Sequence, residues 1–189
     1  MKLKINKEIK KIIEDSIKVK KEISIISIIE ICNLIINSYK NNGKLLVCGN
    51  GGSAADAQHM AGEFINRFLI ERAPLPCLAL TTDTSVITSI SNDFGFEDIF
   101  SKQVEALGKK GDILIGISTS GNSKNIIKAI EIAKKKQIST VCLLGNDGGI
   151  LSKLCDYPLI VNSTSTPRIQ ETHILIIHII CEIVEKSLL

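Results

Sequence analysis

The chain alternates between two hydrophobic periods, and that alternation narrows its possible folds more than any other feature. Five short apolar runs, at 44–48, 77–80, 113–117, 140–144 and 158–161, each lead directly into Gly, Ser, Thr or Asn. Apolarity that is continuous rather than every second residue is what a parallel strand covered on both faces requires. The segments between them, 54–68, 84–106, 123–136 and 149–154, carry helical character and supply crossovers. Strand alternating with helix means an open α/β sheet with helices on both faces. Such sheets bind ligands beyond the carboxyl ends of their strands, so the loops after the runs are where function is expected.

Both ends of the chain read as helix. Ile5, Ile9, Ile12, Ile13 and Ile17 recur at three- and four-residue steps, and Ile25, Ile26, Ile29, Leu34 and Ile36 continue the stripe. Residues 1–41 are therefore expected as helix in two pieces, stopped by Asn41-Asn42-Gly43. The closing helix is expected over 167–186, with Thr166 as its cap and Pro167 at its first position. From Ile174 to Val184 it is apolar all round except for His178 and Glu182. A helix apolar on every side is buried against other protein, which points to a subunit interface shared with the N-terminal helices. The chain thus divides into a helical oligomerisation segment, 1–41, and an α/β core with its C-terminal helix, 42–189, forming one domain over 1–189. A chain of 189 residues needs no disulfide or metal to build a core.

Several classes are disfavoured. The apolar stretches fall short of the roughly 20 residues a membrane span needs, and Met1-Lys2-Leu3-Lys4 leads into a helix pattern without a signal region. A cytoplasmic protein is expected. The net charge is +3, arginine occurs only at Arg67, Arg72 and Arg168, and there is no Trp; nothing resembles a basic stripe for nucleic acid. The six cysteines contain no C-x-x-C pair and are expected as free thiols.

Two loops carry chemistry. In Cys48-Gly49-Asn50-Gly51-Gly52-Ser53-Ala54-Ala55-Asp56 the glycines let backbone approach a ligand, and Ser53 is placed to cap the following helix, whose N–H groups face an anion. The stretch also fits G-x-G-x-x-A, but the acidic residue a dinucleotide needs about 20 positions on is missing; Asp83 comes more than 30 after Gly51. The second loop, Gly116-Ile117-Ser118-Thr119-Ser120-Gly121-Asn122-Ser123, gathers hydroxyls and backbone N–H groups with no basic residue before Lys124. That suits a phosphate held by hydroxyls and dipole. It lacks the P-loop pattern. His59 and Glu63, four apart, share a helix face opposite Ala57, Met60, Ala61, Phe64 and Phe68. On pattern alone that face is solvated. His178, inside the apolar helix, needs a partner, either in the core or as a ligand; His173 lies on another face and is given no role.

With 48–59, Glu63, Leu-Thr-Thr-Asp-Thr (80–84), Asn92-Asp93, Ser-Thr-Ser-Gly-Asn-Ser (118–123) and Arg-Ile-Gln-Glu-Thr-His (168–173) in view, the chain resembles the phosphoheptose isomerases. These are sugar isomerase (SIS) domain proteins that convert sedoheptulose 7-phosphate to D-glycero-D-manno-heptose 7-phosphate. The resemblance implies a three-layer α/β/α sandwich around a five-stranded parallel, flavodoxin-like sheet. It also implies a homotetramer with active sites where subunits meet. Asn50, Gly51, Gly52, Ser53, Asn92 and Asp93 would contact the sugar, and Ser118, Thr119, Ser120 and Ser123 the phosphate. Glu63 and His178 match the acid–base pair; His59, Glu63, Gln170 and His178 match positions that hold one zinc ion per subunit, with Glu63 and Gln170 also meeting substrate. Pro167 departs from the family's pattern. On an unbroken helix Gln170 and His178 stand about 12 Å apart along the axis, so one ion reaches both only if their side chains converge or different subunits supply them. The alternatives are another SIS sugar-phosphate isomerase, or a non-enzymatic SIS protein that binds a sugar phosphate or associates with a replication initiator. The latter would keep the phosphate loop and dispense with Glu63 and His178.

Overall fold

The isoleucine-spaced N-terminal stretch folds as two helices. In the computed structural model, which describes residues 2–189, α1 spans Lys2–Lys21 and α2 spans Ile25–Lys40. Met1, where the helical reading begins, lies outside the described residues. Ser24 caps α2 by accepting the Ser27 N–H at 3.3 Å. Helix α2 stops where Asn42 turns left-handed, and Gly43 then packs where a Cβ would strike Ser38 and Gly111.

Strands β1 (Leu45–Gly49), β2 (Cys77–Ala79), β3 (Ile113–Ser118), β4 (Ser139–Gly145) and β5 (Tyr157–Val161) fall on the five apolar runs. All pair in parallel, in the order β2-β1-β3-β4-β5. The pleat sends alternate side chains to opposite faces. Leu45 and Val47 join Ile31, Ile35, Met60, Phe64, Ile176 and Ile180 on one side; Leu46 and Cys48 join Phe100, Val104, Ile126, Ile130 and Leu151 on the other. The first core is roofed by α2, by α3 (Gly52–Ile65) and by α8 (Thr166–Ser187). The second lies under α5 (Ser101–Leu107), α6 (Lys124–Lys135) and α7 (Leu151–Leu154), with α4 (Thr84–Asp93) packed at its margin. This is the three-layer sandwich expected. All six cysteines are free and buried among these apolar residues. Among the described residues no helix is long and apolar enough to cross a membrane.

Four expectations are corrected. The single helix over 84–106 is three pieces, because Gly95 (φ 109°) turns the chain out of α4 into a 3-10 turn at Phe96–Asp98 before α5. Helix α3 ends at Ile65 instead of 68, because the Phe68, Leu69 and Ile70 N–H groups leave the helix ladder for the Glu185 carboxylate. Ser165, not Thr166, occupies the cap of α8; Thr166 is already helical and Pro167 falls one place further in. The chain itself also covers one side of α8, burying Ile169, Ile176, Ile177, Ile180 and Val184, so a partner is needed only for the remainder, such as Ile183 at 43% exposure.

Candidate active site

Strand β1 has β2 on one side and β3 on the other, so the two connections that follow β1 and β3 diverge from neighbouring strand ends. Gly49 lies opposite Ile117 in the ladder, and the loops 50–52 and 119–123 leave the sheet edge side by side. This is the switch point at which open α/β sheets take ligands. Asn50 and Asn125 lock the loops together through reciprocal amide bonds, Nδ2 to Oδ1 at 2.9 Å each way. Asn125 is 3% exposed and went unnoticed in the sequence, where nothing marks one polar residue near a helix start as a tether.

The first loop turns at Gly51 (φ 56°), which is the N-cap of α3; Ser53, expected as the cap, lies within the helix and is buried. The second loop is pre-shaped. The Ser118 and Ser123 hydroxyls lie 3.0 Å apart, Ser118 Oγ accepts the Gly121 N–H at 3.2 Å, and Ser120 Oγ accepts the Asn122 N–H at 3.2 Å. Asn146 donates to the Thr119 carbonyl at 3.0 Å. Lys124 turns away to Glu97, leaving hydroxyls and backbone N–H groups as the loop's own anion donors.

Further along α3 and α8, one chain brings together His59, Glu63 and His178. His59 Nε2 stands 3.1 Å from Glu63 Oε1 and 3.0 Å from His178 Nε2. One proton on His59 Nε2, shared between the carboxylate and the second ring, satisfies both contacts. The two imidazoles are tilted with centroids 5.0 Å apart, and Phe68 lies against the other side of His178 at 5.4 Å. The reading that this face is merely solvated therefore gives way to a cluster, half-exposed and built within one protomer. Gln170 does not join it. Its amide packs over Gly52, so that a Cβ there would meet Gln170 Cδ at 3.0 Å. Asn92 and Asp93 sit exposed at the end of α4, bonded to each other, and no hydrogen bond among the described residues joins them to either loop.

Two imidazoles and a carboxylate are a donor set that catalytic zinc accepts. Tetrahedral ligands at zinc distances stand about 3.3 Å apart. The three side chains touch directly at 3.0–3.1 Å, so they must part by a few tenths of an ångström to admit an ion. Among the described residues no group of three such side chains is already spread around a vacant centre. The set fits the ion chemically without being preformed.

Two neighbours have displaced pKa values. Asp56, one turn before His59, is pushed up to about 6 by burial, with His59 pulling the other way; its Oδ2 is buried without a partner among the described residues. His173 is the core histidine of α8. It is fully buried, donates from Nε2 to the Leu144 carbonyl at 3.0 Å, and is pushed down from 6.5 to about 4 by burial. Below pH 6.5 the unfolded chain binds a proton at this site that the folded chain refuses. Acidification from about 6.5 towards 4 thus removes stability, up to about 3 kcal/mol. Asp56 has the opposite sign, since its folded form gains a proton first, but half-exposure makes its effect smaller. The fall in Tm between pH 7 and 4.5 should therefore be shallower in His173→Gln, which keeps a donor to Leu144. Parallel curves for the two proteins would contradict this assignment.

Comparison with known proteins supplies the context. The SIS domain family matches residues 7–145. The chain is 55% identical to phosphoheptose isomerase 2 of Campylobacter jejuni over 97% of this chain and 94% of that one. It is 53% identical to the phosphoheptose isomerase of Clostridium acetobutylicum over 100% and 96%. Among solved structures, phosphoheptose isomerase GmhA from Neisseria gonorrhoeae superposes with a TM-score of 0.89 at 41% identity, covering 96% of this chain and 99% of that one. A phosphoheptose isomerase from Francisella tularensis gives 0.91 at 39%, covering 98% and 99%.

Proposed function

The chain belongs to the SIS-domain family, among its phosphoheptose isomerases, and from that premise we propose that it converts sedoheptulose 7-phosphate to D-glycero-D-manno-heptose 7-phosphate by proton transfer through an enediol. The observation that carries the reading is the His59–Glu63–His178 cluster, which a protein that only bound the sugar phosphate would not need. The Glu63 carboxylate takes the proton from C1 of the ketose and returns it to C2. His178 donates to the C2 oxygen as the enediol forms, and then accepts from the C1 oxygen as the aldehyde appears. The hydroxyls of Ser118, Thr119, Ser120 and Ser123 and the backbone N–H groups of their loop hold the phosphate. Asn50, Gly51, Gly52, Ser53, Asn92, Asp93 and Gln170 contact the sugar. His59, Glu63 and His178 would hold zinc, which when bound supplies Lewis-acid polarisation of the carbonyl, while Gln170, whose amide packs over Gly52, serves the sugar alone.

The assembly is a homotetramer in the cytoplasm, and its product feeds lipopolysaccharide or capsule. Two features support assembly. The α1 stripe of Ile5, Ile9, Ile12, Ile13 and Ile17 is 46–53% exposed, and Ile25 and Ile26 of α2 exceed 70%; contiguous apolar surface of this kind marks an interface. At 1.5 Å per residue, Glu63 also lies about 16 Å along α3 from Gly52. That is a long reach for one sugar phosphate, and a neighbouring chain's loop would shorten it. Sedimentation equilibrium giving a monomer would remove this part of the proposal.

The deciding experiment incubates the purified protein with sedoheptulose 7-phosphate, with and without zinc, and follows the aldose. Absence of product under both conditions overturns the function. For the phosphate loop, Ser120→Ala should raise KM about tenfold with kcat little changed, since a hydrogen bond to a charged group is worth about 1.5 kcal/mol or more. An unaltered KM counts against Ser120 as a phosphate donor.

A further inference from the structure

The acid–base pair sits on two different helices, so something must fix the spacing between them. Among the described residues the one buried ion pair near both is Arg72 with Glu185, Nε to Oε1 at 3.0 Å, with side chains 5% and 1% exposed. Arg72 Nη2 donates to the Glu63 carbonyl at 3.0 Å and Nη1 to the Phe64 carbonyl at 2.9 Å. Those are carbonyls of the last turn of α3, which the helix itself cannot satisfy. Glu185, two turns beyond His178 on α8, accepts the N–H groups of Phe68, Leu69 and Ile70 at 3.0, 2.7 and 2.9 Å. Phe68, fixed by that bond, is the ring that lies against His178.

We propose that Arg72 and Glu185 are positioning residues: their ion pair clamps the end of α3 bearing Glu63 to the helix bearing His178 and seats Phe68 against the imidazole. The proposal rests on Glu63 and His178 being the acid–base pair. The chemistry of the two side chains suits the task. A guanidinium fork can serve a carboxylate and two helix carbonyls at once in fixed directions, which a single ammonium cannot. The carboxylate, with three backbone N–H groups and one guanidinium, has each oxygen doubly engaged and cannot swing. Burial acts to raise its pKa, and these donors outweigh it and hold Glu185 below the ordinary carboxylate range, so the clamp stays charged. Sub-ångström drift between Glu63 and His178 would separate the steps of one proton shuttle, and misplacement of about 1 Å costs about 10²-fold.

The test compares Arg72→Lys, Phe68→Leu and Glu185→Gln with the parent enzyme on sedoheptulose 7-phosphate, each at least about ten degrees below its own Tm. Arg72→Lys keeps the buried charge paired, and Phe68→Leu leaves the ion pair untouched, so either carries the test should Glu185→Gln not fold. The expected result is a 10- to 100-fold fall in kcat with KM within about threefold, because the phosphate loops are on the far side of the site. A folded Arg72→Lys and a folded Phe68→Leu that both turn over at the parental kcat, whatever their Tm, would overturn the clamp and leave a merely structural ion pair. Glu63→Gln run alongside separates the two ideas. If it is inactive while Arg72→Lys is fully active, the clamp alone fails; if it is itself active, the underlying assignment fails.

Discussion

Glu63→Gln should lower kcat on sedoheptulose 7-phosphate by about 10²- to 10⁴-fold, the range a positioned general base contributes. The replacement is nearly isosteric and the amide cannot accept a proton. Its effect on the fold should be small. The Glu63 side chain is 26% exposed and its ion-pair contact is with His59, while the carbonyl that Arg72 holds belongs to the backbone and is unchanged. KM should stay within a few-fold, because the phosphate loop is built from residues 118–123 and shares no contact with this side chain. Exchange of the C1 hydrogen with solvent deuterium provides a second readout, since loss of the base stops proton abstraction as well as product formation. A variant that isomerises at the parental rate, or that still exchanges the C1 hydrogen, would remove Glu63 as the base.

How much of this could be read from the residues differs between layers of structure. The five strands were readable because a strand buried on both faces must be apolar at every position, and β1 and β3 are buried throughout. The two ligand loops were readable because Gly-Gly-Ser and Ser-Thr-Ser-Gly leave little choice of backbone or chemistry. Contacts between distant segments were not. Nothing in the sequence says that Glu185 will draw three N–H groups out of the end of α3, or that Asn125 will reach back to Asn50. These bonds depend on how two helices lie on one sheet face, and a polar residue on a helix looks the same whether solvated or paired. His178 shows the same limit. Its spacing on α8 marked it as needing a partner, yet only the packing of α3 against α8 shows that the partner is His59 of the same chain. His173 was the reverse case: an unassigned residue that the packing turns into the buried core histidine.

Gly121→Ala should damage substrate binding more than any single hydroxyl deletion in the same loop. Gly121 has φ 66°, a region in which a Cβ is strained, and it is buried where loop 119–123 meets loop 147–150. A Cβ there would overlap the Gly148 carbonyl and stand 2.8 Å from Gly149 N, and both are backbone, so no side chain can swing aside. The loops are also tied by Leu151 N–H to the Gly121 carbonyl at 3.0 Å and Ile150 N–H to Asn122 Oδ1 at 3.0 Å. Separating them breaks those bonds and pulls the Gly121 N–H from Ser118 Oγ. Backbone strain of about 1–3 kcal/mol and overpacking of similar size set the expected loss of stability at several kcal/mol. In whatever fraction folds, KM should rise at least tenfold beyond that of Ser120→Ala, because the whole phosphate cradle shifts rather than one donor. Proton exchange at C1, measured at saturating substrate, should change less, since Glu63 and His178 lie on the other face of the sheet edge. A Gly121→Ala protein with parental Tm and KM would show that the two loops are not packed as described and that the cradle draws its shape from elsewhere.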